Sequence, residues 1–573
     1  MKRTGSEIII ECLLEQGVDT VFGYPGGAVL NIYDTLYQYS DRIRHIITAH
    51  EQGAAHAADG YARSSGKTGV VIATSGPGAT NLVTGIATAY MDSIPMVAIT
   101  GNVSCNLLGL DSFQEVDITG ITMPITKHNY IVKDITKLAD TIRSAFYIAN
   151  TGRKGPVLVD VPKDITAAVT EYTPCNPKEI TPSREALRAA YGGREGISCS
   201  FSEEEIRHAA ELIRKSERPM IYSGGGVISA GAAEELARFA QLCDAPVSCS
   251  LMGLSGFDSC DRRYTGMLGM HGTVASSKAI TECDLFIGCG TRFSDRVICD
   301  VKSFAPHAKI IHIDVDPAEI NKNIHADHAL IGDVKEVLAD LCKALEPQHH
   351  TGWMNRIAGW KTEHPLKQTS PSGGVTPELV IKTLCRLTDR EAIITTEVGQ
   401  HQMWAAQFYE FRHPRQFCSS GGLGTMGYGF GAALGAQIAN PDKQVVNIAG
   451  DGSFQMNCNE LVTAYKFNVP MIELLFNNNV LGMVRQWQRL FYGARFSQTT
   501  LDRDTDYMKL AEAYHVKGLQ IKTVKDVEPV LREALAHNGP VLVECLIDKD
   551  INVLPMVPAG ASINKPILEM KID

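Results

Sequence analysis

Two mostly apolar runs near the C-terminal end, each stopping at an oxygen-bearing side chain, restrict the fold more than any other feature of this chain. Val445-Val446-Asn447-Ile448-Ala449 stops at Gly450-Asp451-Gly452, and Met471 to Phe476 stops at Asn477-Asn478-Asn479. Runs of that length with a helical pattern between them read as neighbouring parallel strands. Parallel strands need crossover connections, so the pattern predicts an α/β sheet covered by helices. Asp451 and Asn478 then leave the sheet at the carboxyl ends of their strands, where open α/β sheets bind ligands. One carboxylate, one amide oxygen and nearby backbone carbonyls suit a hard cation that keeps waters and holds a diphosphate. Gly450 and Gly452 let the backbone approach phosphate closely. A bare Gly-Asp-Gly is common in turns; the asparagine run after a second strand is what favours the ligand reading.

A second set of candidates lies near the N-terminus. His50-Glu51-Gln52-Gly53 follows the strand-like stretch Ile43 to Thr48 and opens an Ala-rich helix. Alone, Glu51 reads as a glutamate stabilised by the helix dipole. Two neighbouring segments add to it. Val70 to Thr74 is a buried-strand pattern that turns through Ser75-Gly76-Pro77-Gly78 into another helix, and Val21 to Gly27 is a glycine-rich strand end.

Bulk properties bound the function. A chain of 573 residues is too long for one core and predicts three or four domains. A net charge of −10, with no basic cluster, argues against nucleic-acid binding. No apolar stretch approaches the ~20 residues that span a bilayer, so no membrane partner is expected. The opening Met1 to Ser6 leads into an amphipathic helix pattern without a signal-peptide core. The 15 cysteines form no C-x-x-C pair and lie in apolar runs, as small buried residues of a reducing cytoplasm do. His349-His350 and the other histidines lack metal-ligand spacing, so no zinc site is expected.

Strand-like and helical patterns alternate throughout, so each domain is expected to carry a mostly parallel sheet flanked by helices. The expected boundaries are residues 1–168 for a first domain, 169–200 for a linker, 201–346 for a second domain, 347–374 for another linker, 375–548 for a third domain and 549–573 for a C-terminal tail. The first linker is marked by Pro174, Pro177, Pro182, Gly192, Gly193 and Gly196.

The motifs resemble those of acetolactate synthase (acetohydroxyacid synthase) catalytic subunits, biosynthetic type, within the thiamine diphosphate (ThDP) enzymes. Glu51 and Gly450-Asp451-Gly452 are shared with other ThDP decarboxylases and oxidases. Phe113-Gln114-Glu115, Gln400-His401-Gln402-Met403-Trp404 and Gln486-Trp487-Gln488 are more particular to acetolactate synthases. Further matches run from Phe22 to Ala28, Leu268 to Gly272, Gly290 to Arg296, Gly421 to Gly429 and Val553 to Gly560. The resemblance implies a ThDP-binding fold for the first and third domains and a Rossmann-like middle domain. It implies decarboxylation of pyruvate and condensation of its two-carbon fragment with a second pyruvate or with 2-oxobutyrate, in valine, leucine and isoleucine biosynthesis.

The residue roles that follow are implied by that resemblance. Glu51 hydrogen-bonds the N1′ nitrogen of the cofactor's aminopyrimidine. Met426, inside Gly424-Thr425-Met426-Gly427, stands behind the bend of the cofactor. Val398, Gly399, Gln400, His401, Gly450, Gly452, Ser453, Gly482 and Met483 lie along the diphosphate. Asp451, Asn478 and the backbone carbonyl of Val480 ligate Mg2+; the family usually has an acidic residue at 480, whose side chain is not the ligand. Arg296 grips the acceptor carboxylate, Trp487 packs the acceptor alkyl end, and Phe113, Gln114 and Met270 line the same pocket. Gly27 offers an N–H to a developing oxyanion. Ser223-Gly224-Gly225-Gly226 and the Arg292 to Arg296 stretch point to a non-redox FAD, although Ser294 departs from the family's Arg-Phe-Asp-Asp-Arg. Gly431 also departs, from a proline. A homodimer is the minimum unit, with a tetramer left open, and a separate small regulatory subunit is expected. Another ThDP-dependent 2-oxoacid carboligase, decarboxylase or oxidase is the alternative, and a non-catalytic ThDP-fold scaffold a more distant one. Intact Glu51 argues against glyoxylate carboligase, which lacks that acid.

Overall fold

The apolar runs at Gly69–Ala73, Val445–Gly450 and Ile472–Asn477 become central strands. In the computed structural model, which describes residues 1–176, 186, 188 and 201–570, three six-stranded sheets are parallel throughout. Of the linker expected at 169–200, residues 177–185, 187 and 189–200 lie outside the described residues, as do 571–573 at the end of the tail. An antiparallel ribbon pairs Lys2–Thr4 with Val169–Glu171.

The first sheet contains, in chain order, Thr20–Tyr24, Arg44–Ile47, Gly69–Ala73, Met96–Asn102, His128–Ile131 and Pro156–Pro162. Counted that way its spatial order is 2-1-3-4-6-5. The third sheet contains Ile393–Thr396, Phe417–Cys418, Val445–Gly450, Ile472–Asn477, Lys517–Ile521 and Val541–Leu546, and its order is again 2-1-3-4-6-5. The two domains therefore share one topology. The middle sheet, from Pro219–Ser223 to His328–Ile331, has the order 3-2-1-4-5-6 of a dinucleotide-binding fold.

Segment 347–374, read from the sequence as a linker, carries the helix Thr351–Glu363. Trp353, Ile357 and Trp360 fall on one helical face and are buried against the middle domain.

The first and third domains meet along two helices, Glu51–Ser65 and Gly429–Ala439. The first is capped by His50, whose Nδ1 accepts the Gln52 N–H at 3.1 Å, and ends on Gly66 in the left-handed region at φ +79°. Small residues let the axes approach. A Cβ on Gly60 would run into the carbonyl oxygen of Ala432, and one on Gly435 into that of Ala57. Gly431 sits at the same crossing, where a Cβ would lie 2.8 Å from His56 Cβ and 2.9 Å from Gly53 O. The glycine at the expected proline thus belongs to a close helix contact.

Candidate active site

An order of 2-1-3 reverses direction between the first and third strands, and the crevice at their carboxyl ends is where such sheets bind ligands. In the third domain that crevice lies between Ile393–Thr396 and Val445–Gly450. Helices Gln400–Phe408 and Asp451–Asn457 begin there, and Gly482–Phe491 begins just beyond the adjoining strand Ile472–Asn477. Gln400 Oε1 and His401 Nε2 are buried there without a hydrogen-bond partner. Burial pushes the His401 imidazole down to about 3, which keeps it neutral. A Cβ on Gly450 would lie 2.7 Å from His401 Nδ1, and one on Gly482 would strike Gln400 Oε1.

Asp451 opens its helix at 3% exposure, and burial pushes its carboxyl up to about 6 against the pull of backbone N–H groups from residues 451, 452, 478 and 479. Asn478 Oδ1 accepts the Val480 N–H at 3.2 Å. Val480 pairs with Thr500 in an antiparallel bridge whose bonds flank it, Leu481 N–H to Thr499 O and Leu501 N–H to Asn479 O, both at 2.8 Å. This type of pair turns the Val480 carbonyl away from Thr500. Among the described residues no cluster of three or more His, Cys, Asp or Glu forms a metal centre; a site with one carboxylate and neutral oxygens is of a different kind.

Met426 is half-buried in a turn between Gly424 at φ +70° and Gly427 at φ +85°. The turn is anchored by Glu397, a residue the motifs did not single out. Glu397 accepts the Gly427 N–H at 2.6 Å and the Phe430 N–H at 3.1 Å, and burial pushes it up to about 7. Thr425 Oγ1 meets Thr88 Oγ1 of the first domain at 2.7 Å.

The first domain repeats the crevice between Thr20–Tyr24 and Gly69–Ala73. Thr74, just past the second of these strands, accepts the Ala28 N–H at 3.3 Å, and its side chain fills the space beside Gly26 and Gly78. Glu51 borders the same Gly78, and its Oε2 accepts the Asn81 Nδ2–H at 3.0 Å. Gln114 lies on the other side of that turn, where a Cβ on Gly76 would approach Gln114 O to 2.8 Å. Glu51, Gly27 and Gln114 are therefore assembled around one turn. Phe113 beside them is 88% exposed, a large apolar ring without cover inside the chain. Glu460 of the third domain, also missed, accepts the Ala49 and His50 N–H groups at 3.1 Å each and fixes the start of the Glu51 helix. In sequence it reads as an ordinary helix position.

Met270, Arg296 and Trp487 come together elsewhere, on the wall of a cleft of about 1190 Å3 that also reaches Val398, Gly399, Gly424 and Met483. Arg296 Nη1 lies 3.5 Å from Met270 Sδ, and its guanidinium stands 5.4 Å from the Trp487 ring centre. Asp295 lies 3.8 Å from Arg296, and both side chains are more than half exposed, so that ion pair is worth little. The resemblance implies that Phe113 and Gln114 line the same pocket as these residues. Among the described residues, no hydrogen bond or ion pair within the chain joins Phe113, Gln114 or Glu51 to this cleft or to Asp451.

The same cleft extends over the middle sheet, where Gly224-Gly225-Gly226 follows its first strand and Gly290-Thr291 its fourth. A Cβ on Gly226 would lie 2.6 Å from Gly290 Cα. His312 Nδ1 is buried without a partner, and burial pushes Asp314 up to about 7. Ser294, also on the cleft wall, precedes the short helix Asp295–Ile298.

Two like-ordered sheets precede and follow a dinucleotide-type sheet along the chain, and the class to which the three domains belong is that of the thiamine pyrophosphate enzymes. Family models agree along the chain: the thiamine pyrophosphate enzyme N-terminal TPP binding domain matches residues 3–121, the central domain 206–341 and the C-terminal TPP binding domain 397–545. The chain is 46% identical to a probable acetolactate synthase large subunit of Methanocaldococcus jannaschii, covering 99% of this chain and 96% of that one. It is 45% identical to the acetolactate synthase isozyme 2 large subunit of Escherichia coli, covering 99% of both. It is 43% identical to the acetolactate synthase large subunit of Haemophilus influenzae, covering 99% and 98%. The chain belongs to the acetolactate synthase large-subunit family.

Proposed function

We propose that this chain joins two pyruvates into 2-acetolactate with loss of CO2, and pyruvate with 2-oxobutyrate into 2-aceto-2-hydroxybutyrate, for valine, leucine and isoleucine biosynthesis. The observation that carries the reading is the Arg296–Met270–Trp487 cluster on the same cleft wall as Val398, Gly399 and Met483. A cation beside apolar side chains suits an acceptor with a carboxylate at one end and an alkyl group at the other.

Bound ThDP supplies the carbanion-stabilising chemistry of decarboxylation and two-carbon transfer. The partnerless His401 Nε2, which can carry the ring proton, and the N-terminal ends of the helices that begin at Gln400 and Gly482 fit its diphosphate end. Gly452, Ser453 and Met483 would complete that wall, and Asp451, Asn478 and the Val480 carbonyl would hold Mg2+. Met426 would support the bound cofactor from its turn, and Glu51 would hold a proton at the aminopyrimidine. Gly27 faces the reacting oxygen with its N–H, while Phe113 and Gln114 close the pocket. Arg296 anchors the acceptor carboxylate and Trp487 its alkyl end.

FAD would lie in the glycine crevice of the middle domain in this reading, with no role in electron transfer. No hydrogen bond or ion pair among the described residues joins the Glu51 half-site to the Asp451 half-site of the same chain, and exposed Phe113 calls for cover. Two copies, at least, therefore complete each site. A separate small subunit is the regulatory partner, since the relatives are named large subunits. No helix among the described residues is long and apolar enough to cross a membrane. The described cysteines are free and mostly buried, in keeping with a cytoplasmic protein.

The test is a product assay with pyruvate alone and with pyruvate plus 2-oxobutyrate, with and without ThDP, Mg2+ and FAD. Both acetohydroxyacids are expected, dependent on ThDP and Mg2+. Acetaldehyde or an oxidised product in their place supports a decarboxylase or oxidase, and failure to bind ThDP supports the scaffold reading.

A further inference from the structure

Gln486, beside Trp487, makes four side-chain hydrogen bonds next to the acceptor cleft, and no step above uses it. It is 1% exposed on the helix Gly482–Phe491. Its Oε1 accepts the Val553 N–H at 2.9 Å and a Gln400 Nε2–H at 3.0 Å, and its Nε2 donates to Val553 O at 2.9 Å and toward Met556 Sδ at 3.7 Å. The pairing with Val553 is two-way, as between adjacent strands. Gln400 lies at the diphosphate crevice. Val553 begins a segment that crosses to the middle domain, where Val557 N–H bonds Met270 O at 2.7 Å and Gly560 N–H bonds Cys299 O at 3.1 Å. One amide thus ties together the diphosphate rim, the helix carrying Trp487 and the strap that holds Met270.

We propose that Gln486 is a positioning residue for acceptor selection, fixing the Trp487 indole relative to Met270 and Arg296 across the third and middle domains. The inference rests on the acetolactate synthase reading. The helix has a separate anchor, because Asp550 pairs with Arg489 at 2.9 Å and Arg485 at 3.3 Å, and Arg485 stands over the Phe496 ring at 3.7 Å. Gln486→Leu therefore leaves the helix attached while the Val553 N–H and C=O and the Gln400 amide lose a buried partner. Such groups seek new partners, and the strap and helix shift relative to each other.

The experiment is competition between pyruvate and 2-oxobutyrate as acceptors at saturating ThDP and Mg2+, with both products quantified. It compares wild type, Gln486→Leu, Gln486→Asn, Trp487→Leu and the Gln486→Leu/Trp487→Leu pair. Gln486→Leu is expected to lower the ratio of 2-aceto-2-hydroxybutyrate to 2-acetolactate by about threefold to tenfold, within what one methylene permits. Added to Trp487→Leu it is expected to change the ratio no further, because it acts through the indole. Gln486→Asn, too short to reach Val553 and Gln400 together, is expected to fall between, and it carries the test if the leucine variant does not fold. A wild-type ratio in either folded Gln486 variant, or a ratio effect that multiplies with that of Trp487→Leu, overturns the proposal. A wild-type protein that makes neither product overturns the underlying reaction instead.

Discussion

Arg63 is the cation on which the contact between the first and third domains turns, and its removal has a size that the structure sets. Its side chain is 4% exposed, and the Asp59 and Asp92 side chains are at 0%. Nε donates to Asp59 at 2.5 Å, Nη2 to Asp92 at 2.9 Å and Nη1 to Ser419 O at 2.7 Å. Asp92 also receives the Gly421 and Gly422 N–H groups at 3.1 and 2.7 Å, and Asp59 the Tyr428 hydroxyl at 2.7 Å. Arg63→Met keeps the volume and leaves two buried carboxylates without a counter-charge. Breaking a buried pair from one side costs about 3–5 kcal/mol. The remaining hydroxyl and N–H donors place the loss at the lower end, near ~3 kcal/mol. Urea unfolding followed by circular dichroism and tryptophan fluorescence measures it. Adding Asp59→Asn and Asp92→Asn removes the stranded charges and is expected to recover roughly half of the loss or more. A loss under ~1 kcal/mol, or a triple variant less stable than Arg63→Met, refutes the reasoning. The network also holds residues 419–428, so ThDP affinity is expected to fall with stability.

Other outcomes follow from the same geometry. Glu51→Gln is expected to keep the fold and lower turnover by ~10²–10⁴, checked by steady-state kinetics at saturating ThDP. Trp487→Leu is expected to lower the preference for 2-oxobutyrate by up to tenfold or somewhat more, whereas Arg296→Ala weakens both acceptors alike; a reversed pattern in product ratios exchanges the two roles. Asp314 is a buried acid pushed up to about 7, so its ionised form is penalised in the folded state. That penalty is absent below its ordinary value, grows as pH rises and is complete above about 7. Asp314→Asn is therefore expected to stabilise the protein by at most ~4 kcal/mol near pH 8 and by little near pH 4, read from thermal midpoints at the two values.

What the sequence disclosed depends on how local each feature is. Gly69–Ala73, Val445–Gly450 and Ile472–Asn477 stand where their mostly apolar runs placed them, because a strand buried on both faces is apolar along most of its length. Phe417–Cys418 pairs over two residues only and gives no run to detect. The shared 2-1-3-4-6-5 order was invisible, since strand order is decided by crossovers and not by the residues of any one strand. Gly450-Asp451-Gly452 and Asn478 could be read as a site because their spacing already implies two adjacent strands. Glu397, Glu460 and Gln486 could not be given roles, for each acts through partners remote in sequence. Gln486 and Val553 are 67 residues apart, and Glu460 and Ala49 are 411 apart. Arg63 was half legible: Asp59 lies one helical turn away, but Asp92 and Ser419 reach it only through the fold.

The central claim is that one thiamine-dependent site is assembled from the Glu51 face of one copy and the Asp451 crevice of another. Mixing Glu51→Gln subunits with Asp451→Ala subunits, each impaired alone, tests it most directly. After exchange, with mixed dimers verified by native mass spectrometry, one site in each mixed dimer carries both changes and the other carries neither. Random pairing then predicts recovery of acetolactate formation to about a quarter of the wild-type rate. Mixed dimers that remain no more active than the two variants apart would contradict the account.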